Sequence, residues 1–228
     1  MKAMILAAGR GERLRPLTEF RPKPLIEVGE RTLIEHHVIR LAAAGIHDII
    51  VNYAYLGEQI VECLGNGSRY GVRLYYSPEP PGALDTGGGI AHAKPLLGRA
   101  PCIIVNADIF TDFPFASLPT APDGLAHIVL IDNPPHNPRG DFSLHDDLAG
   151  LADENALTYS GIAVIRMELF DETQQQVKFP LGPLLRRAAA QGLVTAEHYT
   201  GQWIDVGTVE RLEEARHAAD AVNHSDIA

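Results

Sequence analysis

Cysteine is scarce in this chain of 228 residues, which contains only Cys63 and Cys102. Two cysteines, one of them inside an apolar run, suggest neither a disulfide framework nor a Cys-based zinc site. The ten histidines are equally uninformative, because neither H-x-x-x-H nor H-E-x-x-H occurs. A Gly-x-Ser-x-Gly nucleophile motif is also missing, so hydrolytic chemistry finds no support in the sequence.

Positive charge is in short supply as well, with 19 Lys and Arg against 29 Asp and Glu and a formal net charge of -10. We therefore expect no broad binding of nucleic acid or of an anionic membrane, since both require a basic surface. Long hydrophobic runs are absent too, and no apolar stretch approaches the ~20 residues of a membrane span. Because Met1 leads directly into an apolar segment without a signal peptide, we expect a cytoplasmic protein.

The first informative stretch is an apolar strand that turns into a loop of small residues, Met4-Ile-Leu-Ala-Ala-Gly-Arg-Gly-Glu-Arg-Leu-Arg15. Small residues let backbone N–H groups approach a ligand closely, and arginine offers a planar fork of donors to phosphate oxygens. The loop therefore predicts the floor of a nucleoside triphosphate site. A dinucleotide fingerprint is disfavoured because Leu14 replaces its third glycine, and no Walker loop is present. On its own, the loop also fits an ordinary turn with solvated arginines.

Lys23 follows in a proline-rich segment that contains Pro16, Pro22 and Pro24. Proline fixes the backbone, so Lys23 is held at a defined place next to the predicted phosphate loop. We interpret it as a phosphate-binding lysine in preference to an ordinary surface lysine.

Apolar residues alternate between strand and helix patterns over the first hundred residues, with a capping box at Thr32 and Glu35 opening the first helix. Such alternation is typical of parallel strands with helices on both faces. We predict an α/β fold, specifically a Rossmann-like three-layer sandwich with a mostly parallel mixed central sheet. Ligands on such sheets bind at the carboxyl ends of the strands, where the loop after the first strand lies.

Three consecutive glycines, Gly87, Gly88 and Gly89, form the second informative stretch and precede a helix predicted over residues 90 to 97. Glycines at this position let the backbone approach a bulky ligand and turn helix N–H groups toward an anion. A flexible surface loop is the alternative.

Two aspartates are the candidate metal ligands. Asp108 directly follows an apolar strand, and Asp205 stands between apolar residues that include Trp203 and Val206. Mg²⁺ is held by one or two carboxylates together with substrate phosphates, which suits Asp108, although a turn or helix cap is an alternative role. A carboxylate in apolar surroundings requires a partner, and a cation is the simplest one for Asp205.

Four motifs occur in a fixed order along the chain: Leu6-Ala-Ala-Gly-Arg-Gly-Glu-Arg13, Lys23-Pro24-Leu25, Asn106-Ala-Asp108 and Trp203-Ile-Asp-Val-Gly-Thr208. Together they resemble the sugar-1-phosphate nucleotidylyltransferase family across nearly the whole chain. Within that family the likeness is greatest to a short group, the N-acetylmuramate α-1-phosphate uridylyltransferases of bacterial cell-wall recycling. The chain lacks the Glu-Lys-Pro element in which many members place a phosphate-contacting lysine, and Arg139 is one possible substitute.

The resemblance implies a single nucleotidyltransferase domain, with a nucleotide-binding lobe over about residues 1–115 and a sugar-binding lobe over about residues 116–228. It implies that Arg13 and Lys23 are catalytic and that Asp108 and Asp205 hold Mg²⁺ as the cofactor. The implied nucleotide contacts are Gly9, Gly11, Glu12, Arg13, Lys23, Ser77, Glu79, Leu84 and Gly88. The implied sugar contacts are Asn106, Asp141, Ser160 and Gly161.

The expected reaction joins a sugar 1-phosphate, such as N-acetylmuramate α-1-phosphate, to UTP and gives a UDP-sugar and pyrophosphate. The expected partners are these small-molecule substrates, with neither nucleic acid nor membrane. Three alternatives stay open: a mannose-1-phosphate-type guanylyltransferase, a non-catalytic nucleotide-sugar sensor and a nicotinamide-dependent oxidoreductase. The residues alone do not distinguish uridine from guanosine, because we expect the base to be read by backbone groups in residues 77 to 84.

Overall fold

Strands and helices alternate through the first half of the chain in the computed structural model, which describes residues 1–173 and 177–225. The strands are β1 (Lys2–Leu6), β2 (Glu27–Val28), β3 (Arg31–Thr32), β4 (Asp48–Tyr53), β5 (Arg73–Pro78), β6 (Cys102–Asn106), β7 (Ile109–Thr111), β8 (Ala126–Ile131), β9 (Phe142–His145), β10 (Leu148–Leu151), β11 (Thr158–Ile165), β12 (Val194–His198) and β13 (Trp203–Asp205). The helices are α1 (Leu33–Ala43), α2 (Glu58–Leu64), α3 (Asp85–Leu97), α4 (Gly182–Ala189) and α5 (Val209–Ser225). None of the helices within the described residues is both long and apolar enough to cross a membrane.

Nine strands form one sheet in the order β5-β4-β1-β6-β11-β8-β12-β10-β9. Pairing is parallel from β5 through β6 and between β8 and β12, and it is antiparallel for the other four pairs. The predicted α/β class and mixed sheet are confirmed. Parallel and antiparallel pairs are equal in number, so the sheet is more evenly mixed than predicted. The short turn between β9 and β10 allows only an antiparallel pair, whereas the other three antiparallel pairs join strands that are not consecutive in the chain.

Helices cover both faces of the sheet, as the predicted three-layer sandwich requires. Side chains alternate along each strand, so Met4 points into the layer beneath α3 and α4 while Ala3 and Ile5 point into the layer beneath α1 and α2. A third apolar cluster joins α5 to β2 and β13. Strands from both predicted lobes share the central sheet, and the division near residue 115 stays a prediction.

Local sequence signals set several element boundaries. Helix α1 begins with the predicted capping box, in which Thr32 and Glu35 bond each other's backbone groups. Helix α3 begins at Asp85, five residues before the predicted start, so the three glycines lie inside the helix. Strand β12 has no counterpart among the predictions, because its alternation of apolar and polar residues extends over only Val194 to Glu197 and its apolar residues are few.

Candidate active site

The carboxyl ends of three parallel strands meet at one edge of the sheet, where Leu6 lies in register with Asn52 on one side and Asn106 on the other. The loop after β1 crosses this edge and opens a cleft of about 530 Å³, a size typical of small-molecule sites. We call this space the nucleotide cleft. It is lined by residues 8 to 14, Lys23, residues 82 and 83, Asp85, Asp108, Lys178 and Gly207.

Gly11 is required both by the backbone conformation and by the space around it. Its φ of +63° is left-handed, and a Cβ there would lie 2.9 Å from Cβ of Lys23. The Thr18 hydroxyl donates to the Gly11 carbonyl oxygen at 2.8 Å, and Thr18 is only 1% exposed. No motif in the sequence indicates this anchor, because Thr18 is a single threonine in a proline-rich segment.

The remaining loop residues differ in how closely neighbouring atoms surround them and in whether their side chains form ion pairs. A Cβ added to Gly9 would meet no heavy atom within 4 Å, so the Cα of Gly9 faces open space. Arg10 and Glu12 form an exposed ion pair at 3.7 Å, and both side chains are more than half exposed. Arg13 is exposed and lines the cleft. The loop thus presents donors to the cleft without tying them to carboxylates inside the protein, apart from the weak surface pair.

Lys23 lies between the two aspartates predicted to hold a metal. Its side chain is 9% exposed, and Nζ lies 2.6 Å from Oδ2 of Asp108 and 4.0 Å from Oδ1 of Asp205. Strand β13 pairs antiparallel with β7, and the Val206 N–H donates to the Asp108 carbonyl oxygen at 2.9 Å. This two-strand ladder brings the carboxylates together from opposite halves of the chain. Their role as metal ligands stays a prediction.

Asp205 has two further neighbours that sequence reasoning missed. Arg211 Nη1 lies 2.6 Å from Oδ2 of Asp205, and His136 Nε2 lies 3.5 Å from the same oxygen. The described residues hold no cluster of three or more His, Cys, Asp or Glu arranged to hold a metal. Any divalent ion bound here would therefore rely on the two carboxylates together with ligands from substrate.

Glu79 and Asn52 fix the loop predicted to read the base. Glu79 accepts hydrogen bonds from Nδ2 of Asn52 and from the backbone N–H of Leu84, both at 2.6 Å. Oδ1 of Asn52 accepts from the buried Ala7 N–H at 2.8 Å. Ser77 is buried opposite Asn52 in the β4–β5 register. Glu79 therefore shapes this loop through its carboxylate, and Asn52, absent from the predicted site residues, links it to the phosphate loop.

The three glycines of α3 lie against other groups of the protein, and their predicted contact with a ligand stays a prediction. The Gly88 N–H donates to the Phe179 carbonyl oxygen at 3.0 Å, and a Cβ on Gly88 would collide with the carbonyl oxygen of Val177. Leu84 is buried, and its carbonyl oxygen accepts from the Phe179 N–H at 3.1 Å. Residues 177 to 180, which we call the covering segment, thus pack against α3 at Gly88, and the nucleotide contact of Gly88 stays a prediction.

The predicted sugar contacts divide into two pairs. Asn106 lines a cavity continuous with the phosphate loop, and Gly161, with φ +85°, packs so closely that a Cβ would lie 2.6 Å from Nδ2 of Asn106. Ser160 is buried, and its hydroxyl accepts from the Ile162 N–H at 3.2 Å. Asp141 accepts from the Tyr159 N–H at 3.0 Å. Ser160 and Asp141 thus hold the start of β11, and neither lines the nucleotide cleft.

Asp205 lines a second cleft of about 270 Å³. Tyr199 lines it, and burial together with the hydrogen bond to Asp112 raises the pKa of Tyr199, so this phenol stays protonated. Gly207, two residues after Asp205, lines the nucleotide cleft, so the two clefts lie close together at this part of the chain. The second cleft is lined by residues 131 to 136, 199 to 201, 203 to 205, Arg211 and Glu214.

A mixed α/β sheet that gathers a glycine-arginine loop, a lysine and two carboxylates at its carboxyl edge is suited to an enzyme that transfers phosphorylated groups. The family model for nucleotidyl transferases matches residues 2–140, and the chain belongs to this family.

Individual relatives differ in how much of the chain they share. The chain is 50% identical over 229 residues to the N-acetylmuramate alpha-1-phosphate uridylyltransferase of Neisseria meningitidis serogroup B, and the match covers 97% of this chain and 99% of that protein. It is 43% identical over 121 residues to the mannose-1-phosphate guanyltransferase of Aspergillus fumigatus, covering 52% of this chain and 33% of that protein. A solved structure from Bacillus anthracis, described as a glucose-1-phosphate thymidylyltransferase, matches with a TM-score of 0.86 and 22% identity over 96% of this chain and 95% of its own, which supports the fold.

Proposed function

We propose that this enzyme transfers a uridylyl group from UTP to N-acetylmuramate α-1-phosphate and releases pyrophosphate, a step that would serve cell-wall recycling in the cytoplasm. The observation that carries the substrate choice is the end-to-end similarity to the Neisseria meningitidis protein of that name. The mannose-1-phosphate guanyltransferase match stops at about half of this chain, so it supports the shared nucleotide half and not the whole activity. The position of Lys23 between Asp108 and Asp205 supports the reaction class.

The chemistry requires positioning and charge neutralisation more than proton transfer. A phosphate monoester has its second pKa near ~6, so at neutral pH the attacking oxygen of the sugar phosphate is already anionic and needs no general base. The attacking oxygen forms a bond to the α-phosphorus of the triphosphate while the bond to pyrophosphate breaks on the opposite side. Arg13 and Lys23 would bind the phosphoryl oxygens and offset the repulsion between the two polyanions.

The donor chemistry of the site fits Mg²⁺. Asp108 and Asp205 supply hard carboxylate oxygens, and their sharing of one ammonium group indicates that this position attracts a cation. When bound, Mg²⁺ would stabilise negative charge on the phosphate oxygens and orient them. Gly11 and the surrounding loop would still hold the triphosphate through backbone N–H groups.

A substrate grid tests the proposed function. Purified enzyme is assayed for pyrophosphate release with four nucleoside triphosphates against the 1-phosphates of N-acetylmuramate, N-acetylglucosamine, mannose and glucose. We expect the UTP and N-acetylmuramate pair to have the highest kcat/KM. A preference for GTP with mannose 1-phosphate would favour the guanylyltransferase, and triphosphate binding without pyrophosphate release in any pair would favour the sensor.

Substitution of Asp108 tests the metal assignment separately. Asp108→Asn is nearly isosteric but weakens the ion pair with Lys23, so we expect a folded protein with a lowered melting temperature. We also expect loss of most turnover and loss of the Mg²⁺-dependent part of UTP affinity in calorimetry. Asp171→Asn is the control, because Asp171 is exposed and pairs with Lys94 at 3.2 Å away from the cleft. If Asp108→Asn kept its Mg²⁺-dependent UTP affinity, Asp108 would not be a metal ligand.

A further inference from the structure

The proposed reaction requires a second anion, the sugar 1-phosphate, to bind close to the triphosphate. We propose that Arg211 binds the phosphate of this sugar 1-phosphate beside Arg13. This inference rests on the proposed function and adds a binding residue that none of the sequence motifs indicates.

The first observation is the position of the Arg211 guanidinium. Its side chain is 18% exposed, and its Nη1 bonds Oδ2 of Asp205. Lys23 approaches Oδ1, the other oxygen of that carboxylate. Arg211 Nη1 also lies 3.1 Å from Nδ1 of His136. An arginine carries five N–H donors, so contacts of one terminal nitrogen leave most of its donors available to a ligand. The Arg211 guanidinium therefore contacts Asp205, the carboxylate that is predicted to hold the metal ion.

The second observation is that Arg211 lies side by side with Arg13 at Gly207. A Cβ on Gly207 would lie 2.6 Å from Nη2 of Arg211 and 2.9 Å from Nη2 of Arg13. Two guanidinium groups at such short range repel each other, and Asp205 supplies a single negative charge between Arg211 and Lys23. Among the side chains that the structure describes, no carboxylate lies within 4.0 Å of the Arg13 guanidinium. A dianionic phosphate between the two arginines would offset this excess of positive charge.

The third observation is the direction from which Arg211 can be reached. Arg211 lines the second cleft, whereas Arg13 and Gly207 line the nucleotide cleft. An in-line reaction requires the attacking phosphate to approach the α-phosphorus from the side opposite to the leaving pyrophosphate. Arg211 stands where the two clefts adjoin, so it is available to a phosphate that arrives from the second cleft. Asp141 and Ser160, two of the polar residues predicted for the sugar, form hydrogen bonds within the protein, whereas Asn106 lines the cavity next to the phosphate loop.

A simpler role for Arg211 would be to hold Asp205 in position. Removal of a purely positioning arginine would alter metal affinity and would weaken both substrates together. Removal of a phosphate-binding arginine would act selectively on the sugar 1-phosphate. A third role, recognition of the lactyl carboxylate of N-acetylmuramate, would weaken that substrate while sparing N-acetylglucosamine 1-phosphate.

The experiment compares steady-state kinetics of Arg211→Ala and Arg211→Lys with those of the parent enzyme. We expect Arg211→Ala to raise the KM for N-acetylmuramate α-1-phosphate by about tenfold or more, as loss of a charged hydrogen bond predicts, with a smaller rise for Arg211→Lys. The KM for UTP and the Mg²⁺ concentration that gives half-maximal rate should change by less than about twofold. Arg216→Ala is the matched control on the same helix, since Arg216 pairs with Glu213 and the Glu27 carbonyl oxygen instead.

A binding measurement provides a readout that does not depend on turnover. By calorimetry, the parent should bind UDP-N-acetylmuramate more tightly than UMP, and Arg211→Ala should lose most of that difference while keeping its affinity for UMP. N-acetylglucosamine 1-phosphate serves as a second substrate, and an equal rise of its KM supports binding of the shared phosphate. Equal losses for UTP and sugar phosphate, a shifted Mg²⁺ requirement, or a penalty confined to N-acetylmuramate would each overturn the inference. Failure of the proposed function itself would appear in the parent enzyme, before any variant is tested.

Discussion

At the scale of single residues, Asn52 illustrates how a buried amide connects two loops that motifs describe separately. Its carbonyl oxygen accepts from the Ala7 N–H and its NH₂ group donates to Glu79, which in turn accepts from the Leu84 N–H. Both ends of the amide are therefore used, and the direction of each bond is fixed. Because unsatisfied groups are costly in a buried network, the network specifies asparagine at this position.

We expect Asn52→Asp to destabilise the protein by about 1–3 kcal/mol, because it places a second carboxylate against Glu79 and removes a donor. The double variant Asn52→Asp with Glu79→Gln reverses the donor and acceptor, so the new glutamine can donate to the aspartate and still accept from Leu84. Urea unfolding of the single variants and the double variant measures this coupling. A double variant no more stable than Asn52→Asp alone would show that the bond between these side chains does not matter.

Gly207 provides a second test at this scale, since its only constraint is space: the ends of two flexible arginine side chains lie where a Cβ would project. We expect Gly207→Ala to change the free energy of unfolding by less than about 1 kcal/mol, because flexible side-chain ends can move aside. Catalysis should fall at least about tenfold, since both guanidinium groups would be displaced. Thermal unfolding and steady-state kinetics, measured on the same preparation, give the two numbers. Full activity in Gly207→Ala would indicate that the arrangement of the two guanidinium groups is unimportant.

At the scale of elements, helix α3 and the covering segment form one unit. The sequence predicted the helix from Ile90, because glycine is a poor helix former and three in a row suggest a loop. The structure begins the helix at Asp85, since packing against the covering segment and hydrogen bonds from Gly88 and to Leu84 offset the low propensity of glycine. Tertiary contacts of this kind join residues about ninety positions apart and leave no local pattern in the sequence.

We expect Gly88→Ala to destabilise the protein by about 1–3 kcal/mol, because the added methyl group would meet the backbone oxygen of Val177 and a backbone atom cannot move aside cheaply. Gly9→Ala is the control for stability, since a Cβ there would meet no heavy atom within 4 Å and Gly9 has no left-handed φ. That change should leave the free energy of unfolding almost unchanged. Equilibrium unfolding in urea compares the two variants. Equal stability of both would mean that the covering segment does not restrict α3.

At the scale of the whole molecule, the part predicted most fully from sequence is the half built by local patterns. Strands β1, β4 and β6 and helix α1 follow from apolar runs and a capping box, and the edge where their loops meet follows from parallel pairing. The sequence also indicated Asp108 and Asp205, because each carboxylate sits next to an apolar strand. The contacts of Thr18, Asn52 and Arg211 could not be predicted, since each depends on which distant atoms folding places beside an ordinary polar side chain.

A buried histidine connects the fold of the whole molecule to its pH dependence. His37 in α1 is fully buried against Phe115, and burial lowers its pKa from 6.5 to about 4. Between these two values the unfolded chain binds a proton that the native protein excludes, so stability is full above about pH 6.5 and declines as the pH falls toward 4. The whole decline attributable to His37 amounts to about 3 kcal/mol, of which about 2 kcal/mol is lost by pH 5.

The variant His37→Leu removes this titration and isolates its contribution. We expect the free energy of unfolding of the parent protein to fall by about 2 kcal/mol more than that of His37→Leu between pH 7.5 and pH 5.0. Other groups that titrate in this range, including His36, whose pKa is also lowered by burial, are present in both proteins and cancel in the comparison. Urea unfolding at the two pH values gives the four free energies. Parallel declines in the two proteins would mean that His37 takes up a proton within the folded structure as easily as in the unfolded chain, which a side chain so enclosed by the apolar layer beneath α1 should not do.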